Sequence, residues 1–273
     1  MTVSSENSAP PDPPVIYPPK AHTHFMKTAV IAPLGMSPPV ITTFVDGIGE
    51  PVSDVVVLVP DNEKIRAGLG LLQTGLKLKF PWIRVHTEIL PFSDIATEKE
   101  NFQFMSRAAH IIRIERDKYK CDKIFLNVAG GRKNICITLA LLGQILQTDG
   151  VFHITSHNID VVNTTLERYR KEISGFLTAE TEDECRTIYD RHREIFDHIL
   201  FPERATYDII RIPTLPFPTD YLQYLIYSLK SDINDLTGAD RELLVVHGLL
   251  EKTGATYHIT DHGRAILEVL LGR

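Results

Sequence analysis

Six short apolar runs alternate with longer segments of helical period, and that alternation limits the fold more than any single motif does. The runs are TAVIAPL from Thr28, DVVVLVP from Asp54, WIRVHTEIL from Trp82, KIFLNVA from Lys123, VFHITS from Val151 and YDIIRIPTL from Tyr207. Between them lie a helix from about Pro38, another from about Asn62, an amphipathic stretch from about Thr97 to Tyr119 and a helix through ICITLALLGQIL. Strand and helix taking turns predicts an α/β fold, a mostly parallel sheet with helices on both faces, wound in the Rossmann sense. Open sheets of this kind bind ligands beyond the carboxyl ends of their strands. A charged segment of helical period, from about Asn163 to Leu200, reads as a helical insertion, with bounds of about 160–201, ahead of the last strand. After Pro216 to Thr219 the chain turns helical again, and ELLVVHGLLEKTGATYHITDHGRAILEVL reads as helix, short strand, helix with Gly254 as a stop signal.

With 273 residues, 43% of them hydrophobic and 23% charged, the chain can bury a real core. A net charge of -6 and a pI near 6.0 argue against a protein whose main task is to coat nucleic acid, because that affinity comes largely from Lys and Arg on phosphates. Cys121, Cys136 and Cys185 are odd in number, widely spaced and without a C-x-x-C pair. They suggest neither a disulfide framework nor a zinc site, and the expected compartment is the reducing cytoplasm. No run of about 18 apolar residues is present, so no membrane span is expected. Residues 1–25 carry six prolines and few large apolar groups. They read as a disordered tail, with Met26 a conceivable alternative start.

Two loops stand at the expected binding edge. In the first, Gly35, Met36 and Ser37 precede Pro38 and Pro39, and a proline suits the first turn of a helix, where the missing N–H would have no partner. Ser37 therefore sits at about the N-cap. Its hydroxyl either caps the helix or, with the free N–H groups and the positive end of the dipole, faces a phosphate. In the second, NVAGGRKN, the pair Gly130 and Gly131 lets the backbone approach a ligand, and Lys133 begins a helix. A cation there opposes the dipole unless an anion sits against it, so the alternatives are an anion site and a solvated lysine. Arg132 is either a ligand contact or half of a structural salt bridge. Thr155, Ser156, His157 and Asn158 follow the fifth strand, where they could line the pocket or serve only the turn.

Named fingerprints are missing. There is no G-x-G-x-x-G after the first strand, no G-x-x-x-x-G-K-[ST] and no G-x-S-x-G elbow. What remains is a two-loop anion site with no cofactor and no metal. Trp82 reads as core or rim packing. His258 and His262 are four apart with a turn between them and lack a carboxylate to complete a ligand set.

The loops APLGMSPPVIT and GGRKN, each after its strand, together with a last strand ending IPTLPFP, resemble the CARF domains of CRISPR-associated proteins, most closely the archaeal-type ring nucleases. The resemblance runs from about Met26 to Pro218. Residues 219–273 resemble a winged helix-turn-helix, mainly through YHITDHGRAIL. It implies a Rossmann-like CARF domain over residues 26–218 and a homodimer that binds cyclic tetra-adenylate across its twofold axis. It also implies metal-free cleavage to linear di-adenylate with a 2',3'-cyclic phosphate, which would switch off an antiviral signal. The catalytic serine and lysine of that family map to Ser37 and Lys133. Gly35, Met36, Gly130, Gly131, Arg132, Asn134 and Ser156 are the further ligand-binding candidates.

Two other outputs are known for such sensors. Arginine followed by histidine at the spacing of a HEPN ribonuclease occurs as Arg186 to His192 and Arg193 to His198, but chance supplies about two such pairs and both lie in the insertion. Transcriptional control through DNA is the alternative function. From Leu236 to Arg273 four Lys and Arg stand against five Asp and Glu, a net of -1, where a DNA reader would show a basic face.

Overall fold

The computed structural model describes residues 26–214 and 218–272; the expected tail, residues 1–25, lies outside them. The chain runs β1 (Thr28–Pro33), α1 (Pro39–Gly47), β2 (Val52–Val59), α2 (Glu63–Lys79), β3 (Arg84–Ile89) and α3 (Glu98–Arg113). It continues through β4 (Lys123–Asn127), α4 (Lys133–Ile145) and β5 (Gly150–Ser156). The insertion follows as α5 (Ile159–Arg168), α6 (Arg170–Ser174), α7 (Glu182–Arg191) and α8 (Arg193–Leu200), and β6 (Tyr207–Ile212) closes the sheet.

Strand order is β3-β2-β1-β4-β5-β6, with every pairing parallel except β5 with β6. The central strand β1 is buried at all six positions and β2 nearly so, which is why both read as unbroken apolar runs. Alternate residues serve two cores. Ala29, Ile31, Val56 and Leu58 pack under α3 and α4, whereas Val30, Ala32, Val55 and Val57 pack with residues of α1 and α2. The insertion adds a third layer on the α2 side, where Ala67 and Leu71 meet Tyr189, Phe196 and Leu200. Burial there raises the Tyr189 hydroxyl above the usual phenol range, and it donates to Asp197 at 2.7 Å.

The C-terminal segment comprises α9 (Thr219–Ser231), α10 (Gly238–Val246), a hairpin of β7 (Leu250–Thr253) and β8 (Thr256–Ile259), and α11 (Asp261–Leu271). The single short strand expected here is two. Gly254, with φ of 63°, turns the hairpin rather than stopping a helix, because its neighbours Thr253 and Thr256 pair across it. This segment is tied to the main sheet through α3. Arg113 donates to the terminal carbonyls Val269 O at 3.1 Å and Leu270 O at 2.8 Å, and His262 Nδ1 lies 2.6 Å from Glu98 Oε1.

Trp82 is a rim residue, 68% exposed and edge-on to Phe80. Neither HEPN-like pair is assembled as a site. Arg186 and Arg193 both pair with Asp190, and His192 packs against Tyr169 and Phe196.

Candidate functional site

The loops after β1 and β4 touch. A Cβ on Gly35 would stand 2.7 Å from the backbone nitrogen of Gly131, and one on Gly130 would stand 2.3 Å from the carbonyl oxygen of Pro33. The close approach that Gly35 and Gly130 permit is therefore between the two loops. Gly131, at φ of 86°, makes the left-handed step that starts the turn into α4. Buried Asn127 locks the pair, donating from Nδ2 to Val40 O at 2.9 Å and accepting from Ala129 N at 3.0 Å. Cys136 donates to Gly130 O at 2.8 Å, and burial pushes its thiol up to about 11, so it is held as a structural thiol. Gly130→Ala is expected to lower stability by about 2–3 kcal/mol, since the clash is with backbone that cannot give way. Chemical denaturation checks it.

Ser37 does not cap α1. The N-cap position is Pro38, already helical, and no side chain bonds to the first turn; Ser37 contributes only its carbonyl, to Val40 N at 3.4 Å. Its Oγ is buried and has no hydrogen-bond partner among the described residues. An orphaned buried hydroxyl costs stability and calls for a partner that the chain itself does not supply. Lys133 is the first residue of α4, exposed, and no hydrogen bond or ion pair joins it to another described residue. The free N–H groups of the first turn of α4 and an unpaired lysine thus share one helix start, where an anion would be favoured.

The neighbours of Lys133 are engaged. Arg132 Nε lies 3.2 Å from Asp94 Oδ2, so the structure places it in an ion pair. Asn134 donates to Ile95 O at 2.6 Å and accepts from Ile135 N at 2.9 Å. Both tie the second loop to the segment between β3 and α3. Asp94 and Ile95 carry no pattern that would mark them in the sequence. Asn127 was visible as the first residue of NVAGGRKN, yet its value lies in a partner 87 positions away. Met36 is 53% exposed beside a cavity of about 650 Å³ between Pro38, the start of α2 and the insertion helices α5 and α6. Ser156 ends β5 at the same edge but lines a separate cavity with α5 and α8, and its Oγ accepts from Asn158 N at 3.3 Å.

Residues 37–221, two thirds of the chain, match the family described as CRISPR-associated protein NE0113. The chain belongs to that family. Residues 219–272 of this NE0113-family chain match the CARF-associated helix-turn-helix, which assigns the helix–hairpin–helix segment, and the two matches make it a CARF-domain CRISPR protein. Among solved structures, Csm6 of Enterococcus italicus, bound to cyclic hexa-2'-fluoro-hexa-dAMP, is similar at 13% identity and a TM-score of 0.41 over 81% of this chain and 48% of its own. The chain thus spans about half the length of that protein. Can2 of Sulfobacillus thermosulfidooxidans, in complex with cyclic tetra-adenylate, is similar at 11% identity and a TM-score of 0.33 over 89% of this chain and 98% of its own. No curated protein matches.

From Lys133 a stripe runs down α4 in the NE0113-family chain. Ile137 and Leu141 follow at steps of four, 62% and 56% exposed, on the face that carries the lysine. Among the described residues no helix is long and apolar enough to cross a membrane.

Proposed function

We propose that this protein binds cyclic tetra-adenylate across the twofold axis of a homodimer and cleaves it without metal to di-adenylate with a 2',3'-cyclic phosphate, ending a type III CRISPR signal. The observation that carries the reading is the pair of unpartnered polar groups on the two touching loops, the buried Ser37 Oγ and the Lys133 ammonium. The nucleophile is a ribose 2'-hydroxyl of the substrate. Its oxygen forms a bond to phosphorus as the bond to the 5'-oxygen breaks, and the proton it loses is matched by one gained on the leaving oxygen. The protein has to align the two oxygens and stabilise charge on the phosphate. Ser37 orients the ribose or phosphate, Lys133 neutralises the developing charge, and the α4 N–H groups add donors. The exposed stripe of Ile137 and Leu141 gives a second copy a surface beside Lys133, so a twofold pair would supply two sites to a ring with its own symmetry.

The second reading, a cyclic oligoadenylate-responsive regulator of DNA, is favoured by the helix-turn-helix match and by Glu98. This residue begins α3 just beyond the loop that holds Arg132 and Asn134, and it grips His262 on α11. One experiment separates the readings. Purified protein is incubated with radiolabelled cyclic tetra-adenylate in EDTA and the products are chromatographed over time. Conversion to di-adenylate with a cyclic phosphate end is the expected result. Tight binding with the ring intact would leave the regulator.

A further inference from the structure

The amino-terminal edge of the sheet, away from both loops, holds a second cluster of chemically capable side chains. Asp54 on β2 and Arg84 on β3 are directly paired in register, and His86 follows at the next position on the same face. Glu115 enters from the π-helical turn Ile114–Lys118 that ends α3, and Cys121 from the turn before β4. Asp54, Glu115 and Cys121 each offer a ligand atom within 4.8 Å of the others. Only 4% of Asp54 and 2% of Glu115 reach solvent. The Cys121 sulfur lies 3.5 Å from Asp54 Oδ2 and 3.6 Å from Glu115 Oε2. His86 Nε2, 4.0 Å from Asp54 Oδ1, is buried and makes no hydrogen bond among the described residues.

A single guanidinium serves the two carboxylates. Arg84 pairs with Asp54, reaches Glu115 at 3.4 Å, and lies 3.4 Å over the Tyr119 ring with 37% of its side chain exposed. One positive charge between two buried carboxyls leaves the cluster a charge short unless Glu115 keeps a proton. Desolvation and the neighbouring Asp54 do hold its carboxyl above the ordinary range. Burial and the same acids push the Cys121 thiol up to about 12.

We propose that Asp54, Glu115 and Cys121 form a site for a divalent cation of the zinc class, that His86, which lies outside this close set, turns in as fourth ligand, and that Arg84 is the guanidinium the cation displaces. Thiolate, imidazole and two carboxylates are a donor set that zinc accepts and that calcium or magnesium would not select. Binding requires Cys121 as the thiolate and lets Arg84 turn to solvent. The cation would join β2, β3, the end of α3 and the start of β4, which makes it a structural site. Neither Cys136 nor Cys185 belongs to the cluster. Sequence spacing alone does not bring positions 54, 86, 115 and 121 together; the fold does.

The test is a cobalt titration of the chelator-treated, reduced full chain, read by absorption. A thiolate-to-cobalt band saturating at one cation per chain and removed by zinc is expected, and its absence from the wild type overturns the site. The Cys136→Ser, Cys185→Ser double variant should keep the band, which assigns it to Cys121 without disturbing the cluster, and its loss there overturns the assignment. Arg84→Gln should tighten cobalt binding by about tenfold, and His86→Ala should weaken it by about tenfold or more. Weaker binding in Arg84→Gln would refute the exchange of guanidinium for metal. The readout involves no ring cleavage, so its failure leaves the proposed function untouched.

Discussion

Lys133→Ala is expected to slow cyclic tetra-adenylate cleavage by about 10²- to 10³-fold while weakening binding by about tenfold or less. The asymmetry follows from when the charge is needed. A phosphodiester already carries one negative charge in the ground state, which several helix N–H groups and the loop backbone can share. The additional charge that develops in the transition state is what the Lys133 ammonium would meet in the proposed reaction. Nothing in the fold depends on Lys133, because it has no partner among the described residues and opposes the dipole of α4. The thermal midpoint of Lys133→Ala should therefore stay level or rise slightly, which separates lost chemistry from lost structure. Ser37→Ala should be milder, about tenfold in rate, since the role proposed for its hydroxyl is to orient rather than to neutralise. It also removes an unpaired buried oxygen, so stability should not fall. Single-turnover rates and equilibrium binding on the same preparations measure all of this. Cleavage by Lys133→Ala at the wild-type rate would end the catalytic assignment.

How far the sequence discloses this site depends on the range of each interaction. β1 and β2 were legible because strands buried on both faces of a parallel sheet have no polar alternation to blur them. The start of α4 was legible from GGRKN, since a left-handed glycine before a helix is a local requirement. Ser37 stands ahead of α1 as expected, with a capping and a phosphate-facing hydroxyl as the alternatives, and the cap is the one not made, since Pro38 takes the helical position itself and no side chain bonds to the first turn. Gly130 was legible as a point of close backbone approach, but its contact with the first loop, and that of Gly35 with Gly131, was not, because only the folded sheet brings the two loops together. Arg132 and Asn134 are held by Asp94 and Ile95, about forty positions upstream, and no periodicity encodes such a contact. The hairpin around Gly254 was compressed into one strand because the four residues Leu250–Thr253 also fit the end of a helix that a glycine stops.

Ile137→Asp and Leu141→Asp are expected to turn the protein monomeric and to abolish cleavage together, although neither residue would touch the phosphate. Both side chains are more than half exposed in the single chain, so their loss removes no core packing and the monomer should keep its melting temperature. Apolar side chains at successive turns of one helix, in line with a candidate catalytic lysine, are an arrangement that solvent does not favour and a second copy would. If α4 packs against its twin, the stripe crosses the axis, and an aspartate on it meets both an apolar partner and its own copy. That places two carboxylates in one desolvated interface, which should raise the dimer dissociation constant by about 10²-fold or more. Sedimentation at several concentrations gives the oligomeric state, and ring cleavage on the same samples gives the coupling. A monomeric Ile137→Asp that cuts at the wild-type rate would place the whole reaction within one chain. A variant that remains dimeric would move the twofold axis away from α4, and Lys133 would then have to act on a ring held by some other face.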